Sequence, residues 1–288
     1  MVADLLSAHL GGTWSVRALG ASNFCETWRA ESAGTALFVK SAPQARAAVL
    51  QAEADGLAAL GATDCIRVPA VMGCWDDGRV AVLAMTWLDL SAREPRDFGA
   101  RFGRQLAALH RAPAPGDGRF GWHRDNWLGG TPQRNRWSRE CGLDGWIAFV
   151  GHERLRALAE GLAAPLPAAV RDVVDTLPAL FDDGHVPRPS LIHGDLWSGN
   201  WGCTATGEPA IFDPAVSVSD AEAELAMMEL FGSPPASFWP AYREVTPLAA
   251  GYERRRAVYQ LVHLLNHARL FGGGYARQAL ALCESIRR

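Results

Sequence analysis

The sequence predicts an α+β protein with two unequal lobes, a small N-terminal lobe rich in β-strands and a larger, mainly helical C-terminal lobe. Five strand-like stretches and one long helical stretch fall within residues 1–88, whereas residues 89–288 carry a succession of amphipathic helical patterns. The chain has 288 residues, 49% of them hydrophobic, and can therefore bury a substantial core. We expect the boundary between the lobes near residue 88.

In the small lobe, short apolar runs separated by polar or glycine-containing turns predict the strands. After a short helix over Ala3–Leu10, the strands are expected at Trp14–Leu19, Cys25–Ala30, Ala36–Lys40, Ile66–Met72 and Arg79–Met85. A helix is expected over Gln44–Leu60, because this stretch is rich in alanine and is followed by Gly61. The tetrapeptide WDDG at 75–78 predicts a hairpin turn between the last two strands.

In the large lobe, apolar residues recur at helical spacing along most of the chain. The predicted helices are Phe98–Arg111, Leu143–Leu162, Pro167–Leu180, Asp220–Phe231, Phe238–Val245, Gly251–Leu270 and Tyr275–Ile286. Two strand-like pieces, Leu191–Cys203 and Pro209–Phe212, interrupt this helical pattern.

Charge and composition exclude several classes of partner. A formal net charge of −3 gives no basic field for nucleic acid, so we expect no nucleic-acid partner. The sequence has no run of about 18 apolar residues, and its start lacks the basic region of a secretory signal, so we expect no membrane partner. The six cysteines are scattered without metal-binding spacing, which is typical of a cytoplasmic protein.

The segment 192–214 carries the residues best suited to chemistry and reads IHGDLWSGNWGCTATGEPAIFDP. Asp195 can act as a general base toward a hydroxyl group. Asn200 and Asp213 offer a neutral and a charged oxygen, which suit Mg²⁺ bound to the phosphates of ATP. The D-x-x-x-x-N spacing followed by a second aspartate is typical of kinase-fold phosphotransferases. The alternative is that these residues serve turn formation in a loop.

Lys40 is the only lysine among 28 basic residues and ends a predicted strand. A kinase-type site needs a compact ammonium group at this place, paired with a glutamate of the following helix. Glu53 is the only glutamate in that helix, so the sequence predicts a Lys40–Glu53 pair at the nucleotide phosphates. The alternative is a solvated residue at a strand end.

Two further segments complete the predicted nucleotide site. The connection between the lobes around Met85, Trp87 and Leu88 is expected to lie against adenine. The segment GASNFCETW at 20–28 lies where a phosphate-covering loop belongs, but its single glycine is equally consistent with an ordinary hairpin loop.

Taken together, these segments resemble the fructosamine kinase (ketosamine-3-kinase) family, which is related to aminoglycoside phosphotransferases and choline kinases. The resemblance covers nearly the whole chain. It is carried by HGDLWSGN at 193–200, IFDP at 211–214, FGWHRDNWLGGTPQRNRW at 120–137, ELAMMELFG at 224–232 and YQLVHLLNHARLFGGGY at 259–275. The sequence departs from the family in having Ala21 and Ser22 where paired glycines are frequent, and Glu224 where an aspartate is common.

The resemblance implies a two-lobed protein-kinase-like fold with ATP and Mg²⁺ bound between the lobes. It implies phosphorylation of the 3-hydroxyl of a fructosamine or other ketosamine, and an unstable product that releases the amine in deglycation repair. The acceptor would be a small glycated amine or a glycated lysine of a protein, and the oligomeric state is left open. The alternatives are an aminoglycoside- or choline-type phosphotransferase and a non-catalytic nucleotide-binding protein.

Three residues are candidates for contact with this substrate. Trp197 lies between the predicted base and the metal ligand, where its ring could form an apolar wall or pack the loop onto a helix. Asn126 could bond a sugar hydroxyl or cap the following segment. His263 shares a helix face with Asn266 and His267, which could line the cleft or form a buried polar cluster.

Overall fold

The N-terminal lobe is built around a five-stranded antiparallel sheet. The computed structural model describes residues 1–22 and 24–287. The strands are β1 (Ser15–Ala21), β2 (Glu26–Ser32), β3 (Thr35–Pro43), β4 (Val71–Asp76) and β5 (Val80–Thr86). Their order in the sheet is β1-β2-β3-β5-β4, so β3 lies at the centre.

Two helices cover the two faces of this sheet. They are α1 (Val2–Leu10) and α2 (Ala47–Gly61), and a 3₁₀ turn over Gln44–Arg46 leads into the second. Successive side chains of β3 alternate between the faces, so Leu37 and Val39 pack with α1, whereas Phe38 packs with α2. Lys40 lies two residues after Phe38 and therefore on the same face of the sheet, so its ammonium group is directed toward α2.

The C-terminal lobe combines helices with short strand pairs. Its strands are β6 (Leu90–Ser91), β7 (Asn126–Leu128), β8 (Thr131–Gln133), β9 (Pro189–Ile192), β10 (Trp201–Thr204), β11 (Pro209–Ile211) and β12 (Ser217–Asp220). Its helices are α3 (Phe98–Arg111), α4 (Gly142–Ala148), α5 (Ala157–Ala159), α6 (Leu166–Thr176), α7 (Ala221–Leu230), α8 (Phe238–Val245), α9 (Tyr252–Phe271) and α10 (Gly273–Ile286). A π-helical segment over Phe149–Arg156 joins α4 to α5, and a 3₁₀ turn over Leu177–Phe181 follows α6.

Two antiparallel pairs frame the segment that carries the predicted chemistry. Ile192 at the end of β9 pairs with Ser217 at the start of β12, and Trp201 at the start of β10 pairs with Ile211 at the end of β11. The loop 193–200 and the segment 212–216 therefore leave neighbouring strand ends. This pairing brings residues that are far apart in the sequence to one edge of the large lobe.

The prediction of an α+β fold with a small sheet-containing lobe and a larger helical lobe is confirmed. The five-stranded sheet ends at Thr86, and β6 pairs with β10 in the large lobe. The boundary at residue 88 stays a prediction.

The fourth strand was predicted too early in the chain. The expected strand Ile66–Met72 begins only at Val71, because Arg67 instead accepts a hydrogen bond from Ile211 N–H of the large lobe, and Pro69 has no N–H to donate to a strand partner. The turn predicted over 75–78 is correspondingly shorter. Its Asp77 carboxylate accepts hydrogen bonds from the N–H groups of Arg79 and Val80, which leaves Trp75 within β4.

Two predicted elements of the large lobe are interrupted, and four short strands were not predicted. The π-helical segment divides the helix expected over Leu143–Leu162, and the piece Leu191–Cys203 is divided into β9, a loop and β10. The pairs that β6, β7, β8 and β12 form are only two to four residues long on each side. Stretches of this length are too short to show a strand periodicity in the sequence.

Among the described residues, no helix combines the length and the apolar character that a membrane crossing requires. All six cysteines have free thiols.

A buried ion-pair network holds α9 to the rest of the large lobe. The Arg255 guanidinium, only 1% exposed, donates to both carboxylate oxygens of Glu222 at 2.7 and 3.0 Å and to Asp183 at 2.8 Å. The next residue, Arg254, pairs with Asp182 at the same distance but on the exposed surface. The chain thus contains a buried and an exposed arginine pair at adjacent positions.

We expect Arg255→Met to lower the free energy of unfolding by about 3–5 kcal/mol, because it leaves two carboxylates without their buried cation. Arg254→Met should lower it by about 1 kcal/mol or less, since an exposed pair contributes little. Urea denaturation of both variants, followed by circular dichroism, measures the two losses. Equal losses would contradict the role assigned to the buried network.

Candidate active site

A cleft of about 360 Å³ between the lobes gathers most of the predicted functional side chains. It is lined by Lys40, Glu53, Asp195, Asn200 and Asp213. Trp197 and Asn126 line it as well, together with Ser22, Phe24, Cys25, Val49, Leu50, Ala52, Trp127, Gly129 and Pro214. The structure therefore brings together the predicted base, the predicted metal ligands and the predicted phosphate-binding pair.

Lys40 links the two lobes at this cleft. Its Nζ lies 2.8 and 2.9 Å from the carboxylate oxygens of Glu53 on α2. It also donates to the Oδ1 of Asp213 in the large lobe at 2.8 Å. The whole residue is only 6% exposed, so Lys40 is a buried cation and not a solvated residue at a strand end.

The charges of this trio depend on one another. Burial alone would lower the pKa of Lys40, but Glu53 and Asp213 hold it above its usual value, so the ammonium group stays protonated. Burial raises the pKa of Glu53, and the nearby Lys40 ammonium opposes that rise. Glu53 lies three residues after Leu50 and four before Leu57, both of which are buried against the sheet, so all three share one face of α2.

The loop 193–200 is held by Glu224 of α7. The two carboxylate oxygens of Glu224 accept hydrogen bonds from His193 N–H at 2.6 Å and from Gly194 N–H at 2.9 Å. Gly194 has a φ of +83°, and a Cβ at this residue would lie 2.1 Å from the carbonyl oxygen of Ala215. Only glycine fits this turn, which directs the next residue, Asp195, into the cleft.

His193 is a buried structural residue of the loop. Its Nδ1 accepts the Asp195 N–H at 3.3 Å, so the proton lies on Nε2, which donates to the Phe212 carbonyl at 2.8 Å. Burial lowers the pKa of His193 and favours this neutral form. The ring therefore ties the start of the loop to the segment that carries Asp213.

Asp195 and Asn200 form a second contact within the loop. The Nδ2 of Asn200 donates to the backbone carbonyl of Asp195 at 2.7 Å and to its Oδ2 at 3.3 Å. Burial and the nearby carboxylates of Asp213 and Glu224 raise the pKa of Asp195 well above its usual range, and the hydrogen bond from Asn200 opposes the rise. A raised pKa makes this carboxylate a stronger proton acceptor.

Asp213 has a left-handed backbone conformation with a φ of +59°. Few residues other than glycine adopt it, but aspartate and asparagine do so at low cost. Hydrogen bonds on both sides fix the segment, from Phe212 N–H to the Asn200 carbonyl at 3.0 Å and from Ala215 N–H to the His193 carbonyl at 2.8 Å. Its side chain is 44% exposed, so the carboxylate that touches Lys40 also faces the open cleft.

A second, mainly apolar cavity of about 290 Å³ adjoins the first at Asp213, which lines both. It contains the residues predicted to lie against adenine, Met85, Trp87 and Leu88. Phe38, Pro69, Thr86, Asp89, Leu90 and Phe212 complete its walls. Its size and apolar walls suit the base of a nucleotide. The phosphates of that nucleotide would then extend past Asp213 to Lys40.

Two residues predicted to contact the substrate, Trp197 and Asn126, line the cleft, and they differ in whether their side chains are already bonded within the protein. Trp197 is 40% exposed, and its ring covers Gly199, where a Cβ would lie 2.4 Å from the indole. Asn126 is buried, its Nδ2 donates to the Val216 carbonyl at 2.8 Å, and its Oδ1 accepts from Gln133 at 2.9 Å. Trp197 is free to contact a ligand, whereas the amide of Asn126 is bonded within the protein.

His263 does not reach the cleft. It is buried in α9 and lines a separate internal cavity of about 40 Å³ with Glu224, Arg154 and Gly194. Burial and the neighbouring His267 lower the pKa of His263 to about 3, so the ring is neutral. Asn266, on the same helix face, donates to the Leu128 carbonyl at 3.3 Å. This position favours the buried polar cluster, the second of the two interpretations that the sequence allowed.

The predicted phosphate-covering loop is organised by a serine. Ser22 Oγ accepts hydrogen bonds from Phe24 N–H and Cys25 N–H, each at 3.2 Å, and Ser22 N–H donates to the Cys25 carbonyl at 2.8 Å. Asn23 of this segment lies outside the described residues. The Ser22 hydroxyl group thus holds the backbone of Phe24 and Cys25.

One other group of metal-ligand side chains occurs in the described part of the chain: His185, Asp220 and Glu222. Its carboxylates already have partners, because Arg255 binds Glu222 and the hydroxyl of Tyr259 donates to Asp220 at 3.1 Å. His185 itself lies 2.8 Å from Asp220. We therefore assign this group to the internal ion-pair network and not to a metal site.

Comparison with known proteins shows the family of this chain. The family model for fructosamine kinase matches residues 2–288. A Synechocystis protein named "Probable ketoamine kinase" is 42% identical over 256 residues, which cover 87% of this chain and 83% of that protein. A chloroplastic protein-ribulosamine 3-kinase of Oryza sativa subsp. japonica is 33% identical over 276 residues, covering 93% of this chain and 77% of that protein.

Solved structures show the same architecture. A crystal structure from Thermobifida fusca, provisionally named a fructosamine-3-kinase, superimposes with a TM-score of 0.83 at 35% identity and covers 99% of this chain and 98% of that one. An aminoglycoside phosphotransferase in complex with ADP and hygromycin B shares the fold, with a TM-score of 0.66 at 14% identity and 100% and 98% coverage. The chain therefore belongs to the fructosamine kinase family and is an ATP-dependent phosphotransferase with the two-lobed kinase-like fold.

Proposed function

We propose that this enzyme transfers the γ-phosphoryl group of ATP to the 3-hydroxyl of a ketoamine, a sugar joined to an amine by glycation. One observation carries the proposal: Lys40, Glu53, Asp195, Asn200 and Asp213 surround a single cleft in a member of this family. Relatives named as ketoamine and ribulosamine kinases support the choice of acceptor.

The nucleotide would extend across both cavities. Its adenine would lie in the apolar cavity at Met85, Trp87 and Leu88, and its phosphates would pass Asp213 toward Lys40. Lys40 would keep its contact with Glu53 and exchange the contact with Asp213 for phosphate oxygens. This exchange retains a paired charge on the buried ammonium throughout binding.

The donor atoms near Asp213 fit Mg²⁺. Because the Nδ2 of Asn200 is bound to Asp195, its carbonyl oxygen is the group it can offer to a cation. Asp213 has one oxygen at Lys40 and a half-exposed carboxylate, so its other oxygen is accessible. A neutral and a charged oxygen are ligands that Mg²⁺ prefers, and the ion would neutralise charge on the phosphates.

Asp195 would orient the acceptor hydroxyl and take its proton during transfer. The fixed loop supports this role, because Glu224 and His193 bind the backbone around Asp195 and Asn200 positions its carboxylate. Positioning of this kind supplies much of the rate enhancement in phosphoryl transfer.

The sugar would pack against the exposed ring of Trp197, with the amine portion extending out of the cleft. This arrangement would accommodate either a small glycated amine or a glycated lysine of a protein, and breakdown of the unstable phosphorylated product would release the amine in deglycation repair. A cytoplasmic location and the repair role remain predictions.

We expect ATP-dependent phosphorylation of free and protein-bound fructosamines and ribulosamines, with phosphorus NMR placing the new phosphate on the 3-position. Choline and an aminoglycoside serve as acceptor controls, because an aminoglycoside- or choline-type phosphotransferase is the alternative that the sequence leaves open. Turnover of a control with no turnover of any ketoamine would overturn the proposed acceptor. Binding of nucleotide without turnover of any acceptor would favour a non-catalytic protein.

Asp195→Asn should lower kcat by about 10²–10⁴-fold, because the amide cannot accept the hydroxyl proton. The affinity for ATP should stay near the wild-type value, since Asp195 would contact the acceptor hydroxyl and not the nucleotide in the proposed arrangement. Ser198→Ala, in the same loop, is the matched control and should retain activity. Steady-state kinetics and calorimetric titration of ATP measure both effects, and near-normal turnover of Asp195→Asn would remove Asp195 from this role.

Asp213→Asn should weaken binding of the Mg²⁺–nucleotide complex and lower turnover, because a charged oxygen ligand becomes neutral. Asparagine tolerates the left-handed backbone, so the fold of the segment should persist. Asp89→Asn, which removes a charge from the nucleobase cavity, is the control and should leave the Mg²⁺ dependence unchanged. Nucleotide titrations at several Mg²⁺ concentrations test this, and an unchanged Mg²⁺ dependence in Asp213→Asn would refute the assignment.

A further inference from the structure

Asp55 connects the helix that carries Glu53 to the large lobe. Its Oδ2 accepts a hydrogen bond from the indole Nε1 of Trp122 at 2.7 Å, and its Oδ1 lies 3.1 Å from the Nε2 of His123. Glu53 and Asp55 are two residues apart on α2, so their side chains point in different directions around the helix. One acid of α2 therefore faces Lys40, and the other binds the large lobe.

The segment that binds Asp55 is hydrogen-bonded to the strands that support the loop of Asp195. Gly121 and Val218 exchange two backbone hydrogen bonds, at 3.0 and 2.8 Å, and Trp122 N–H donates to the Asn135 carbonyl at 2.8 Å. Val218 lies in β12, which pairs with β9, the strand that leads into the loop of Asp195. Trp122 is buried in the core of the large lobe, so its indole N–H has a fixed position.

Gly56, the residue after Asp55, packs tightly against the large lobe. A Cβ on Gly56 would lie 3.2 Å from Pro214 and 3.2 Å from Val216, which follow Asp213 closely in the chain. Thus α2 contacts the segment that follows Asp213 and the segment that carries Trp122, although the sheet that carries Lys40 belongs to the small lobe.

We propose that Asp55 is a positioning residue that acts through Glu53. By holding α2 on the large lobe, it fixes the Glu53 carboxylate relative to Asp213 and Asp195, so that Lys40 is placed for the nucleotide phosphates before ATP binds. Asp55 itself does not line the cleft. Small displacements of such a group are costly, because a misplacement of about 1 Å can lower a rate by about 100-fold.

The test removes the hydrogen bond between Asp55 and Trp122 by changing each residue in turn. Asp55→Ala removes the acceptor, and Trp122→Phe removes the indole N–H while it retains an aromatic ring. Trp146→Phe is the matched control, because it removes another buried indole hydrogen bond, to the hydroxyl of Tyr259 at 3.2 Å within the large lobe. We expect the first two variants to lower kcat/KM for ATP about tenfold or more and to weaken binding of Mg²⁺–AMP-PNP. We expect the control to lower the melting temperature with little change in either quantity.

A double variant separates positioning from simple stabilisation. In a Glu53→Gln background, Asp55→Ala should cause no further loss of kcat/KM for ATP, although it should still lower the melting temperature. Independent losses of activity from the two changes, or wild-type nucleotide binding in Asp55→Ala, would overturn the proposal. If Asp55→Ala does not fold, Trp122→Phe in the same background gives the same comparison.

The proposal rests on the phosphotransferase activity and not on the identity of the acceptor. Binding of Mg²⁺–AMP-PNP needs no acceptor, so the nucleotide titrations keep their meaning even where every ketoamine fails as a substrate. Failure of the positioning role would appear as unchanged nucleotide binding, whereas failure of the proposed acceptor would appear only in turnover.

Discussion

The buried ammonium group of Lys40 is the interaction on which the site depends. It is held by one carboxylate from α2 and by another from the segment that follows β11, so its partners come from both lobes. A buried charge without a partner costs several kcal/mol, and the two lobes are therefore constrained to meet at this point. In the proposed function, nucleotide phosphates bring negative charge to the same place. Their binding would replace one partner of an existing cation and would not create a new buried charge.

The loop 193–200 and the segment of Asp213 contain two kinds of side chain: those that form hydrogen bonds within the protein and those that face the cleft. Glu224, His193 and the amide nitrogen of Asn200 form hydrogen bonds within the protein and fix the backbone of the loop. The carboxylates of Asp195 and Asp213 face the cleft instead. Burial and the nearby carboxylates of Asp213 and Glu224 raise the pKa of Asp195, and the hydrogen bonds that fix the loop hold these groups together in spite of this cost.

The sequence was sufficient to predict which residues meet at the cleft where those residues lie close together in the chain or on consecutive elements. Asp195, Asn200 and Asp213 lie within one short segment, and Lys40 and Glu53 lie on consecutive elements. The position of His263 could not be predicted, because helical spacing defines a shared face but not the direction that this face takes in the fold. The contact of Asp55 with Trp122 joins residues 67 positions apart and has no local pattern. The π-helical segment and the short strands likewise depend on tertiary packing and not on periodicity.

The single lysine has a chemical consequence beyond its place in the site. Reducing sugars condense with unprotonated amines that are accessible to solvent, and Lys40 meets neither condition. The residue is only 6% exposed, and its two carboxylate partners keep its amine protonated. Every other basic side chain except histidine is an arginine. An enzyme proposed to act on sugar-modified amines thus presents to those sugars no exposed side-chain amine of its own.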